Sequence, residues 1–98
     1  MIPLHEPIFV GNEKKYLSEC INSGYVSSVG NFVSKFEKSV SKYLEVKYAN
    51  ALNTGTSALH LACLALNLKN KDIVWTSPIS FVSSSNCALM CGASIDFV

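Results

Sequence analysis

The chain has 98 residues, which allows one small domain at most. Hydrophobic residues make up 49% and charged residues only 15%, high apolar content for a small free-standing domain, so some surface should be covered by further chain or a partner. Net charge is +1, and all eight basic residues are Lys, so there is no basic field for nucleic acid, no acidic one, and no Arg for bidentate phosphate or carboxylate clamps.

No apolar run reaches the roughly 18 residues that span a bilayer. The start, Met1-Ile2-Pro3-Leu4-His5-Glu6, has neither the basic nor the apolar region of a signal peptide, so a cytoplasmic location is expected. Residues 1–10 read as extended. A first helix is expected from Asn12 to Ser23, with Asn12 as cap, Glu13 in the first turn and Gly24 past its end. Tyr16, Leu17, Cys20 and Ile21 form its apolar stripe. Gly24 to Gly30 is a Ser/Gly loop. A second helix runs from Asn31, its cap, to Leu44, with Phe32, Phe36, Val40, Tyr43 and Leu44 at helical spacing, read as core packing.

Tyr48 to Leu52 reads as a short strand. A third helix follows from Thr56 to about Leu68, apolar nearly all round and so expected between layers. Asn67 to Asp72 is a polar turn, and Ile73 to Thr76 a second strand. Ser80 to Met90 is a fourth helix closed by Gly92, and Ser94 to Val98 starts a third strand. Alternation of strand and helix from residue 48 argues for parallel βαβ units. The expected division is 1–47, an extended segment and two helices, and 48–98, the start of an α/β domain.

Two segments stand just past strand ends, where open α/β sheets bind ligands. In Asn53-Thr54-Gly55-Thr56-Ser57, Gly55 permits a sharp turn and a close approach. Thr56 and Ser57 begin a helix whose free N–H groups and partial positive charge suit a phosphate. Their hydroxyls suit either a phosphate or an ordinary helix cap. In Thr76-Ser77-Pro78-Ile79-Ser80-Phe81, Phe81 is either a ring-stacking aromatic or a core residue. Cys20, Cys63, Cys87 and Cys91 lie in apolar helical surroundings and read as structural thiols. Their spacing is not that of a zinc site, and no metal is expected.

The motifs, taken in order, resemble the N-terminal part of the DegT/DnrJ/EryC1/StrS family of PLP-dependent sugar aminotransferases. They are Ile2-Pro3-Leu4 with Pro7, Gly11-Asn12-Glu13, Ser23 to Gly30, Phe36-Glu37-Lys38, Asn53 to Ala62, Thr76 to Val82, Asn86 and Gly92-Ala93. The resemblance covers essentially the whole chain. It implies an α/β fold, the N-terminal part of the type I aminotransferase fold, with parallel βαβ units after two N-terminal helices. It implies pyridoxal 5'-phosphate as cofactor, with Gly55, Thr56 and Ser57 at its phosphate and Phe81 on its ring. Ser27 and Gly30 match a segment near the sugar-nucleotide site.

The resemblance also implies a Lys that forms the Schiff base and an Asp that pairs with the pyridine nitrogen. Both are expected beyond Val98, and the eight Lys present read as solvated charges, so no catalytic residue is assigned. The chain is therefore expected to be a fragment, inactive alone and prone to self-association through open edges. The implied reaction moves an amino group from glutamate to a nucleotide-linked keto sugar, for a polysaccharide or glycan, in a homodimer that engages neither nucleic acid nor membrane. The Trp75 to Phe81 and Asn86 to Leu89 stretches look most like transaminases acting on 4-keto UDP-amino sugars. The Gly24 to Gly30 loop looks more like those of the legionaminic and perosamine type, so the sugar stays open. The alternatives are a sugar dehydratase of the same family, a non-catalytic remnant that binds a partner subunit, and a DNA-binding regulator, which the charge disfavours.

Overall fold

A computed structural model describes Ile2, Pro3 and residues 5–98. Leu4 of the Ile2-Pro3-Leu4 motif, and Met1, fall outside the described residues. The chain divides into two compact units, Met1–Ala51 and Leu52–Val98.

The first unit carries two helices, α1 (Glu13–Ser23) and α2 (Asn31–Tyr43). Residues 5–10 carry no regular structure. Asn12 precedes α1 but its side chain does not cap it, because its backbone (φ −94°, ψ 12°) lies outside the extended region a capping side chain needs. The Glu13 carboxylate instead accepts the Gly11 N–H at 2.9 Å, placing negative charge at the positive end of the helix. At α2 the residue before the helix is Gly30, and Asn31 is the first helical residue rather than the cap. Tyr16 and Phe32 meet with ring centroids 5.1 Å apart, and the Lys35 Nζ stands 5.0 Å over the Phe32 ring. The aromatic stripe of α2 does not form a core. Phe36, Tyr43 and Leu44 are exposed, since this unit sets no second layer against them.

The second unit runs α3 (Gly55–Ala65), β1 (Ile73–Thr76), α4 (Ser83–Met90), β2 (Ser94–Phe97). β1 and β2 pair in parallel, Ile73 against Ser94 through Thr76 against Phe97, with α4 as the connection. Pairing extends past both ends: the Ser94 N–H donates to the Asp72 carbonyl at 3.0 Å and the Val98 N–H to the Thr76 carbonyl at 3.1 Å. This is the expected βαβ unit. The strand expected at Tyr48 to Leu52 does not form: the segment has no strand partner among the described residues, and the Ala51 N–H goes to a carboxylate instead.

α4 packs on α3 and on both strands. The core there is built of small side chains: Cys63, Ser83, Cys87, Ala88 and Ala93. Small residues let the helices approach closely. α3 is not sandwiched between layers as its all-round apolar surface implies; Cys63 is its only buried residue, because α4 is the only helix of the unit packed against it.

α2, α3 and α4 close in the same way. The residue after the C-cap donates its N–H to the carbonyl three back, and the next residue to the carbonyl five back. The pairs are Glu45 to Lys42 with Val46 to Ser41, Asn67 to Leu64 with Leu68 to Cys63, and Gly92 to Leu89 with Ala93 to Ala88. This closure needs a left-handed residue, and Glu45 (φ 55°), Asn67 (φ 57°) and Gly92 (φ 80°) supply it. The glycine marks the stop in the sequence as expected. Asn67 ends α3 earlier than Leu68.

Candidate cofactor and substrate site

α3 begins one residue earlier than expected, at Gly55, and its cap is Thr54. The Thr54 backbone is extended (φ −146°, ψ 154°), as a capping residue requires. Its Oγ1 accepts the Ser57 N–H at 3.1 Å and donates to the Ser57 Oγ at 3.0 Å. The sequence reading missed this role, although a Thr standing just before a helix is its standard signal. Thr56 and Ser57 therefore do not cap the helix themselves.

The N–H groups of Gly55 and Thr56 have no protein acceptor among the described residues. The Ser57 hydroxyl, which accepts from Thr54, retains its own hydrogen to donate. Gly55 is helical, so the sharp glycine turn expected there is absent. A Cβ at Gly55 would meet no atom within 4 Å. The helix start thus presents two free amides, the exposed Thr56 hydroxyl and the half-buried Ser57 hydroxyl, beside open space. That donor set suits a phosphate.

Phe81 lies in the loop between β1 and α4, not inside the helix, which begins only at Ser83. Its carbonyl accepts the Ser84 N–H at 3.0 Å and the Ser84 hydroxyl at 2.8 Å, fixing the approach to α4. The ring is 81% exposed, so it is not a core residue in this unit. Gly55 to Ser57 and Phe81 each sit at the start of one helix of the packed α3–α4 pair.

In the other unit, Ser27 and Gly30 line one cavity of about 200 Å³ with Glu19, Tyr25, Asn31 and Phe32. The Ser27 Oγ accepts the Val29 N–H at 3.5 Å. A Cβ at Gly30 would stand 3.4 Å from the Tyr25 Cβ, in ordinary contact.

All four cysteines are free thiols. Burial, and then the adjacent Cys87 and Cys91 thiols, push the Cys63 thiol up to about 11. Among the described residues, no group of three or more His, Cys, Asp or Glu is arranged to hold a metal ion. No described helix is long and apolar enough to cross a membrane.

The chain is similar to known proteins over nearly its whole length. It is 45% identical over 93 residues to a GDP-perosamine synthase of Vibrio cholerae, covering 95% of this chain and 25% of that protein. It is 46% identical over 69 residues to a UDP-4-amino-4,6-dideoxy-N-acetyl-beta-L-altrosamine transaminase of Campylobacter jejuni, covering 70% of this chain and 18% of that protein. The chain thus spans about a quarter or less of the length of these two relatives. The crystal structure of an aminotransferase from Psychrobacter cryohalolentis superimposes with a TM-score of 0.81 at 30% identity, covering 93% of this chain and 23% of that one. The fold of this chain thus recurs in a solved aminotransferase. With residues 7–98 matching the family as a whole, the chain belongs to the DegT/DnrJ/EryC1/StrS aminotransferase family.

Proposed function

We infer that the protein carrying this chain is a PLP-dependent aminotransferase that delivers an amino group to a keto group on a nucleotide-linked sugar. Membership of the aminotransferase family supports this reading. So do the activities for which its relatives are named, one a GDP-perosamine synthase and one a transaminase of a UDP-linked amino sugar. The observation in this chain that carries it is the start of α3, with free Gly55 and Thr56 amides and open space over Gly55.

The roles of the residues follow from their donors. The Gly55 and Thr56 amides donate to the phosphate oxygens, aided by the helix dipole. The Thr56 and Ser57 hydroxyls add two more donors. Thr54 holds Ser57 in place by the two bonds at 3.1 and 3.0 Å. Phe81 offers an exposed ring face for stacking on the flat ring. PLP, when bound, supplies an electron sink for moving nitrogen between carbon centres. Ser27 and Gly30 line the cavity assigned to part of the sugar nucleotide. Glutamate is the amino donor, the assembly is a homodimer, and the location is cytoplasmic.

The test uses the full-length protein. Thr56→Ala and Ser57→Ala should each weaken PLP retention by about 1–3 kcal/mol, the scale of hydrogen bonds to a charged group. Cofactor absorbance after dialysis reads this directly. Retention unchanged in both variants would remove the phosphate assignment. Turnover with GDP-linked and UDP-linked 4-keto sugars, glutamate present, identifies the acceptor; no turnover with either would overturn the substrate class.

A further inference from the structure

Phe81 stands in a loop that its own side chain does not shape. Val82, the residue before α4, lies in the helical region (φ −55°, ψ −24°) and carries no group that caps the helix. The bonds at this helix start come from Ser84 instead. The Ser84 N–H donates to the Phe81 carbonyl at 3.0 Å, and the Ser84 hydroxyl donates to the same carbonyl at 2.8 Å. A carbonyl oxygen has two lone pairs, and here one residue occupies both.

The order of donors follows from the hydrogens available. The Ser84 Oγ also lies 3.2 Å from the Ser80 Oγ. Ser84 has a single hydroxyl hydrogen, and the shorter contact, to the Phe81 carbonyl, takes it. Ser80 is therefore the donor across the longer one. The bonds run one way, from Ser80 to Ser84 to Phe81.

Ser84 is well anchored. Its helix packs on α3 and on both strands, and Ser83 and Cys87 beside it are buried. The Cys87 thiol donates to the Ser84 carbonyl at 3.3 Å. The two bonds from Ser84 hold the peptide plane that follows Phe81 against that anchor. This plane contains the Phe81 Cα, so the point from which the ring extends is fixed with it.

We propose that Ser84 is a positioning residue for the cofactor: its hydroxyl, steered by Ser80, holds the Phe81 backbone so that the ring lies flat on the pyridine of PLP. This rests on the assignment of Phe81 as the stacking aromatic. Ser84 touches neither cofactor nor substrate in this role and acts through Phe81 alone.

The test is made on the full-length protein, freed of cofactor and titrated with PLP. It reads the dissociation constant and the visible circular dichroism per bound cofactor, which reports how the ring is held. Ser84→Ala should weaken PLP binding about two- to tenfold, the scale of one hydrogen bond, and lower the dichroism. Ser84→Thr keeps a hydroxyl that reaches the carbonyl three residues back and should restore both. A merely structural role would lower the unfolding midpoint of Ser84→Ala and leave the dichroism per bound cofactor as in wild type, and that result overturns the proposal. Ser80→Ala removes only the outer bond and should lower the dichroism by less. No change there overturns the proposal, even where Ser84→Ala folds poorly. Phe81→Ala separates the proposal from the assignment beneath it. Wild-type binding and dichroism in Phe81→Ala would remove the stacking assignment and the proposal with it. A change in Phe81→Ala with none in Ser84→Ala would remove the positioning role alone.

Discussion

The Glu37 Oε1 accepts the Ala51 N–H at 2.9 Å, joining α2 to a segment fourteen residues further on. Glu37 is half-buried, so the bond is partly shielded from water. It gives the Ala51 amide the partner that a neighbouring strand would otherwise supply. Glu37→Ala leaves that amide unpaired and should destabilise the first unit by about 1–2 kcal/mol, while Glu37→Gln, which keeps a carbonyl acceptor, should lose less. Urea melts of the two variants measure the difference. Equal losses would mean that the bond contributes nothing beyond the packing of the side chain.

Thr54 predicts a second difference. Removing its hydroxyl in Thr54→Ala frees the Ser57 N–H and should cost about 1 kcal/mol, the usual loss for a capping residue. Thr54→Ser should retain nearly all of it. Thermal unfolding followed by far-UV circular dichroism distinguishes the two. A wild-type melt for Thr54→Ala would remove the cap assignment.

Glu45 holds a left-handed backbone at φ 55° without the freedom of glycine. Glu45→Gly should therefore raise stability by about 0.5–1 kcal/mol, and Glu45→Ala should not. The comparison needs only the two melting midpoints. A glycine variant less stable than wild type would show that the Glu45 side chain contributes more than its backbone strain costs.

The Cys63 thiol, raised from about 9 to about 11, predicts a pH dependence. Between those values the unfolded chain releases the proton and the folded chain keeps it. Stability from this group is complete below pH 9 and declines as pH rises toward 11. Alkylation of Cys63 at pH 8 should be much slower in the folded protein than in urea, as measured by peptide mapping. Equal rates would show that burial does not protect the thiol.

The regular elements were legible where local chemistry determines them. β1 lies where its apolar residues put it, β2 ends one residue short of the expected Val98, and α1 falls within one residue of its expected bounds. Ser80 to Val82 were misread as helix because a run of Ser and apolar residues carries no boundary; the Phe81 carbonyl and the Ser84 hydroxyl set it. The phosphate-suited helix start was legible as a segment but not in its working parts. Gly55 reads as a turn residue and proves helical, and Thr54 reads as part of the approach and proves to be the cap. The helix stop at Glu45 was hidden because glutamate does not usually mark a left-handed position, whereas the stop of α3 falls at Asn67, where the polar turn was expected to begin. The Glu37–Ala51 bond was hidden for a different reason: fourteen residues separate its partners and no periodicity links them.

The seam between α3 and α4 makes mutational tolerance one-sided. Cys63, Ser83, Cys87 and Ala88 carry so few side-chain atoms that trimming them leaves almost no void. Enlarging any of them has no such latitude, since the added volume can be housed only by levering the helices apart. Substitutions toward glycine should be felt mainly through helix propensity, while those toward leucine or phenylalanine should be purged.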